Sequence, residues 1–229
     1  MVVSAQNLSR RFGRRWAYAR INLELLEGDS LLLIGANGSG KTTLLRSIAT
    51  LLPQSVGRLE VFGQDALSQR DFIRSKLGYL AHHTGLYEDL SAVANLLVFA
   101  KLIGLPFSTK DAQEALAAVG LEQRNDPVRA YSAGMRKRAS LATLLLKRPS
   151  LVLLDEPFSA LDPSGIDQVS QFISELQATT IIVSHQVERA AMLCNRCLLL
   201  ESGLERWSGP ATKAWDAWRV SQQAGVTDG

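Results

Sequence analysis

The stretch GANGSGKTTLLRSIATLL, Gly35 to Leu52, follows an apolar run from Leu31 to Ile34 and passes directly into a helical pattern. Glycine reaches backbone angles that other residues avoid and lets a ligand approach the main chain closely. Glycines with a lysine at the end of a buried strand therefore mark a loop shaped around something. Gly35, Gly40, Lys41 and Thr42 fit GxxxxGK[ST], in which backbone N–H groups cradle phosphates, the lysine reaches the terminal ones and the hydroxyl ligates magnesium. The flanking strand and helix supply the context this motif needs, because a helix start offers unpaired N–H groups and a positive dipole end to an anion. A nucleoside triphosphate is expected here, surrounded by Gly35, Ala36, Asn37, Gly38, Ser39, Gly40, Lys41, Thr42 and Thr43.

The bulk numbers bound the rest. The 229 residues suit one large domain or two small lobes, and 46% hydrophobic with 21% charged residues is ordinary for a globular chain. A net charge of +3, with short arginine clusters only at Arg10–Arg15 and Arg136–Arg138, is no nucleic-acid footprint, so no such partner is expected. Cys194 and Cys197 make no disulfide framework, point to a reducing compartment and read as core filler, because no second ligand pair accompanies their CxxC spacing. ANLLVFAKLIGL is too short for a membrane span and is broken by Lys101, and MVVSAQNLSRRFG lacks the apolar core of a signal peptide. A cytosolic protein that meets membranes only through a partner is expected.

Along the chain, strands are predicted at Val2 to Leu8 and Ile21 to Leu26, then at SLLLIG, and a helix from Thr42 to Leu51 stopped by Pro53. From about residue 83 to 150 the pattern turns helical, with ANLLVFAKLIG, KDAQEALAAVGL and AGMRKRASLATLLLKRPS separated by breakers. This reads as a helical lobe inserted in an α/β core. Strands return at LVLLDEP and TTIIVSH around a helix from Ile166 to Gln177, CLLLESGLERWSG closes as a hairpin, and residues 210–229 form a tail whose Trp215 and Trp218 pack on the body.

LVLLDEP, Leu151 to Pro157, places Asp155 at a strand tip, where it can hold magnesium, and Glu156 beside it, where it can polarise an attacking water. An Asp-Glu pair alone is unremarkable; the phosphate loop upstream gives it meaning. His185, at the end of TTIIV, can donate to a γ-phosphate or orient water, or merely sit at a helix start. No guanine-reading NKxD motif is present, which argues against a GTPase.

The ordered set of phosphate loop, YSAGMRKR at Tyr131, LLDEP at Leu153, SALD at Ser159 and SH at Ser184 closely resembles the ATP-binding subunits of ABC transporters over residues 1–209. The resemblance implies an α/β fold: a P-loop NTPase core of ABC ATPase type with an N-terminal antiparallel β subdomain and an inserted helical subdomain. It implies an ATPase using ATP and Mg2+, with Lys41, Glu156 and His185 catalytic and Thr42, Asp155 and His82 near the metal. By the same resemblance Phe12 stacks on adenine, with Trp16 as the weaker claimant, and Asp162 meets the opposite subunit. The resemblance also implies that Ser132 and Gly134 contact the γ-phosphate bound to a second copy, so that ATP joins a dimer, expected to be a homodimer, that drives integral membrane permease subunits from the cytoplasmic face.

Two departures narrow the resemblance. The usual LSGGQ reads Tyr131-Ser132-Ala133-Gly134-Met135, and GYLAHHTGLYEDLSAVANL puts His82 where a switch glutamine is usual. Together with the run from Leu86 to Leu96 they look like the haem-exporter ATPase subunits of cytochrome c maturation. The alternatives are the ATPase of another ABC exporter or a soluble ABC-type switch in an assembly complex.

Overall fold

The computed structural model describes residues 1–81, 84–121 and 124–224. In chain order its elements are β1 (Val3–Phe12), β2 (Arg15–Leu25), β3 (Ser30–Ile34), α1 (Lys41–Ile48), β4 (Val56–Val61), β5 (Gln64–Asp65), α2 (Arg70–Ser75), β6 (Leu77–Leu80), α3 (Ala92–Leu102), α4 (Thr109–Ala118), α5 (Ala133–Ala142), β7 (Leu151–Asp155), α6 (Pro163–Ser174), β8 (Thr179–Val183), α7 (Val187–Ala191), β9 (Arg196–Glu201), β10 (Leu204–Pro210) and α8 (Ala214–Ala224). They fall into two units. Met1–Tyr79, Ser150–Asp155 and the described residues from Gln177 onward make the first; the described residues of Leu80–Pro149 with Glu156–Leu176 make the second.

In the first unit an antiparallel sheet of order β2-β1-β4-β5 accompanies a sheet of order β10-β9-β3-β8-β7-β6. In the larger sheet β3 lies parallel between β8 and β9, and β7 pairs parallel with β8. Leu31–Ile34, Leu151–Asp155 and Thr179–Val183 are buried throughout, as strands covered on both faces must be, which explains why they read as unbroken apolar runs. Leu44, Leu45 and Ile48 of α1 join Leu31, Leu33, Leu153 and Ile181 in one core, so the helix that follows the phosphate loop is seated by burial of its apolar stripe. Tyr18 adds a polar anchor. Fully buried on β2, its hydroxyl donates to Ser47 Oγ of α1 at 2.7 Å, and burial raises its pKa, keeping it a neutral donor.

Some elements differ from the predicted ones. The first hairpin runs on to Phe12 and restarts at Arg15, because cross-strand pairing continues through bulges and Arg10 and Arg11 lie over the rings of Phe12 and Trp16. Helix α1 ends at Ile48, well before Pro53; Thr50 turns left-handed with φ 59° and is pinned by Arg74, which donates from Nε to its hydroxyl and from Nη2 to its carbonyl. Past Pro210 the chain forms α8, with Ala211 and Ala214 buried, Trp218 half-buried and Trp215 exposed.

The second unit contains α3, α4, α5 and α6. Ser108 and Asp111 form a reciprocal capping box at the start of α4, and Asp162 caps α6, whose first residue is Pro163. That cap starts α6 three residues before the predicted Ile166. The pattern after α5 tightens at Thr143 into a 3-10 turn through Lys147 instead of continuing as one helix.

Candidate active site

In the first unit β3 delivers the chain to the loop and α1 receives it. Gly40 is the N-terminal cap of α1 at φ 101°, and a Cβ there would collide with the Ala17 carbonyl oxygen, so only glycine fits both the angle and the space. Lys41 is buried, and its Nζ donates to the carbonyls of Gly35 at 2.7 Å and Ala36 at 2.9 Å. The loop's own carbonyls thus hold the ammonium over the loop. Thr42 Oγ1 donates to Oδ1 of the buried Asp155 at 3.1 Å, across 113 positions of sequence. A hydroxyl and a carboxylate at the mouth of a phosphate loop are the hard oxygen donors Mg2+ takes. Mg2+ is commonly held by one or two protein oxygens with phosphate and water completing its shell, a role this pair fits.

His185 is exposed just past the end of β8, after the buried Ser184, whose Oγ accepts from the Gln186 N–H at 3.0 Å. Phe12 stands half exposed at the hairpin end, with the Arg10 guanidinium 4.7 Å from its ring centre. Trp16 lines a cleft beside the phosphate loop together with residues 36–39. His82 lies outside the described residues. Both cysteine thiols are pushed up to about 12 by burial, with Cys197 adding to the shift of Cys194, so neither is a thiolate at neutral pH.

In the second unit Glu156 has φ 53°, a left-handed angle uncommon for a residue with a side chain, and its carbonyl accepts from Ser159 N at 3.2 Å and Ser159 Oγ at 2.9 Å. Backbone held off its preferred wells marks functional positions often enough to support a role for the carboxylate. Ser132 caps α5, its Oγ accepting from the Met135 N–H at 3.1 Å, which leaves the hydroxyl hydrogen to be given elsewhere. Gly134 has a packing reason as well. A Cβ there would lie 2.9 Å from the Ala160 carbonyl oxygen, so α5 meets the SALD turn only through a bare backbone. Asp162 accepts from the Gly165 N–H at 3.1 Å and from Ser164 Oγ at 2.9 Å.

Residue-type reasoning passed over Asn95. Fully buried on α3, its Oδ1 accepts from the Tyr87 N–H at 2.7 Å, and its Nδ2 donates to the carbonyls of Tyr87 and Ser91, each at 3.0 Å. One amide therefore shapes the loop from Tyr87 to Ser91. The only signal was its place in the LYEDLSAVANL run.

A parallel strand, a phosphate loop and a carboxylate at the end of β7, separated from β3 by β8, define a P-loop nucleotide-binding protein. The family model described as ABC transporter matches residues 18–159. The cytochrome c biogenesis ATP-binding export protein CcmA of Pseudomonas aeruginosa is 38% identical over 189 residues, 81% of this chain and 93% of that protein. The linearmycin resistance ATP-binding protein LnrL of Bacillus subtilis (strain 168) is 30% identical over 208 residues, covering 88% and 67%. A dimeric ATP-binding cassette in a post-hydrolysis state bound to ADP and Pi superimposes with a TM-score of 0.84 at 25% identity, covering 91% of this chain and 98% of that one. The chain belongs to the ABC transporter family and is an ATPase of it.

Proposed function

We propose that this chain binds ATP with Mg2+, dimerises around the nucleotide and powers an export permease at the cytoplasmic face of a membrane, with haem for cytochrome c maturation as the cargo. The observation that carries the ATPase part is the Lys41–Thr42–Asp155 arrangement: a buried ammonium over the loop and an oxygen pair beside it. Lys41 would exchange its loop carbonyls for the β and γ phosphates, and Thr42 and Asp155 would hold the magnesium, which supplies charge neutralisation on the phosphates. Glu156 is the group to polarise the attacking water, His185 to donate to the γ-phosphate, and Phe12 to stack on the base.

The haem reading is supported by 38% identity to a cytochrome c biogenesis export protein and by the Tyr131-Ser132-Ala133-Gly134 signature. A relative of similar coverage serves linearmycin resistance, which favours a second reading as the ATPase of another exporter. Cargo is set by subunits this chain does not contain, so the deciding experiment is affinity purification of the tagged Glu156→Gln protein from membranes in ATP and Mg2+. Because the amide cannot accept the proton, trapped ATP should hold the complex together. Recovered permease subunits with bound haem support the first reading, permease subunits indifferent to haem support the second, and a protein that stays monomeric without a membrane partner overturns both.

A further inference from the structure

The signature stretch departs from LSGGQ at both of its ends, where Tyr131 stands for the leucine and Met135 for the glutamine, and both departures meet one side chain. Arg124, in the loop between α4 and α5, has its guanidinium carbon 5.9 Å from the centre of the Tyr131 ring, and its Nη1 donates to Met135 Sδ at 3.8 Å. Its Nε donates to Asp126 Oδ2 at 3.1 Å, which fixes the plane of the fork. A leucine would offer this cation no π face. A thioether gives no hydrogen bond and accepts only weakly, so Met135 depends on a donor brought to it. Tyr131 also carries a penalty that leucine would not: the residue is buried, and its hydroxyl has no hydrogen-bond partner among the described residues. The face under Arg124 is what the ring supplies in return. Between the two clamped positions lie Ser132 and Gly134, and Met135 is tied to that cap a second time through its N–H, which donates to Ser132 Oγ at 3.1 Å.

We infer that Arg124 is a positioning residue of the ATPase reaction: by clamping Tyr131 and Met135 it holds Ser132 and Gly134 in the pose that meets the nucleotide of a second copy. The inference rests on the dimer reading of the signature and adds the side chain that keeps this form of the signature in shape. A segment ordered beforehand loses less freedom when the copies meet, so the clamp favours association. Its effect belongs to the site that a second copy completes, and the ATP affinity of the monomer is independent of it. A cation over an exposed ring edge and a half-exposed ion pair are each modest contributions, but a dimer contains two signatures and the loss of the clamp counts twice.

Sedimentation of the full chain carrying Glu156→Gln, in ATP and Mg2+, reads the dimer directly. Adding Arg124→Ala should weaken dimerisation by about tenfold, while calorimetry on the dilute monomer gives the ATP affinity of the parent. Tyr131→Leu with Met135→Leu removes both surfaces that the guanidinium holds. That pair should weaken the dimer to a similar degree, and Arg124→Ala added to it should change dimerisation by less than about twofold, because coupled residues lose their interaction only once. Circular dichroism checks that each variant keeps the helical content of the parent; should Arg124→Ala not keep it, Arg124→Gln, with a stem and an amide but no charge, takes its place in the same comparison. An Arg124→Ala chain that dimerises as tightly as its parent overturns the inference. An equal loss with and without the Tyr131 and Met135 changes overturns it too, since the arginine would then act without them, and so does a lowered ATP affinity in the monomer, which would tie Arg124 to its own copy's nucleotide. The dimer reading fails by a different sign: the Glu156→Gln parent stays monomeric in ATP and Mg2+ before Arg124 is changed, and the inference falls with it.

Discussion

At the scale of single residues, Asn95 tests whether one buried amide controls a loop. It makes hydrogen bonds to main-chain groups of Tyr87 and Ser91 that no apolar residue can replace. Asn95→Ala should lower stability by about 1–3 kcal/mol, read as a shifted urea midpoint with unchanged m-value, because the loop groups lose partners and rehydrate only in part. A midpoint equal to the wild type would show that the loop holds itself. The contrast with Lys41 explains what was legible. Lys41 bonds carbonyls within six positions of itself, in a pattern where every residue type is constrained, so its neighbourhood could be read directly. Asn95 acts on backbone, which carries no residue type, and only the fold says which backbone lies within reach. Gly134 falls between the two: the signature pattern points to it, but its contact with the Ala160 carbonyl depends on a turn more than twenty residues away.

At the scale of elements, caps and strand ends decide where the chemistry stands. Asp162 starts α6, and the Ser164 hydroxyl first, then the Gly165 N–H, hold its carboxyl below the ordinary 3.8; Asp111 at α4 is lowered by Ser108 in the same manner. A carboxyl whose folded pKa is depressed lends stability that is fully present above its unfolded pKa and is lost as pH falls through the folded one. Both caps should therefore weaken only on the acid side of 3.8. Asn caps a helix about as well as Asp but does not titrate there. Asp162→Asn should match the wild type near neutrality and lose less stability between roughly pH 4 and pH 2, measured by denaturant midpoints along a pH series. Parallel acid limbs for the two proteins would mean the cap does not titrate with folding. The strands around the loop were legible because burial on both faces writes a continuous apolar run. The arginine-rich hairpin end and α8 were not: charged residues that pair over aromatic rings look like loop, and a helix burying little beyond Ala214 looks like tail.

At the scale of the whole molecule, the family supplies a constraint that no single chain displays. Lys41 belongs to one unit and Ser132 to the other, and the dimer reading assigns them to one composite site only when two copies meet. Each variant alone then breaks both sites of its homodimer, Lys41→Ala through the loop and Ser132→Arg through the signature. In a mixed dimer the two lesions fall on the same site and the second site is intact. An equal mixture that pairs at random makes half its dimers mixed, so turnover should rise from near background in either variant to about a quarter of the wild-type rate if sites work independently. Ser132→Arg also removes a helix cap, at a cost of about 1 kcal/mol, so its folding is checked by circular dichroism and its ATP affinity as a monomer should be unchanged. A mixture no more active than its components, or normal turnover by Ser132→Arg alone, would place Ser132 outside the catalytic site and return α5 to a purely structural part.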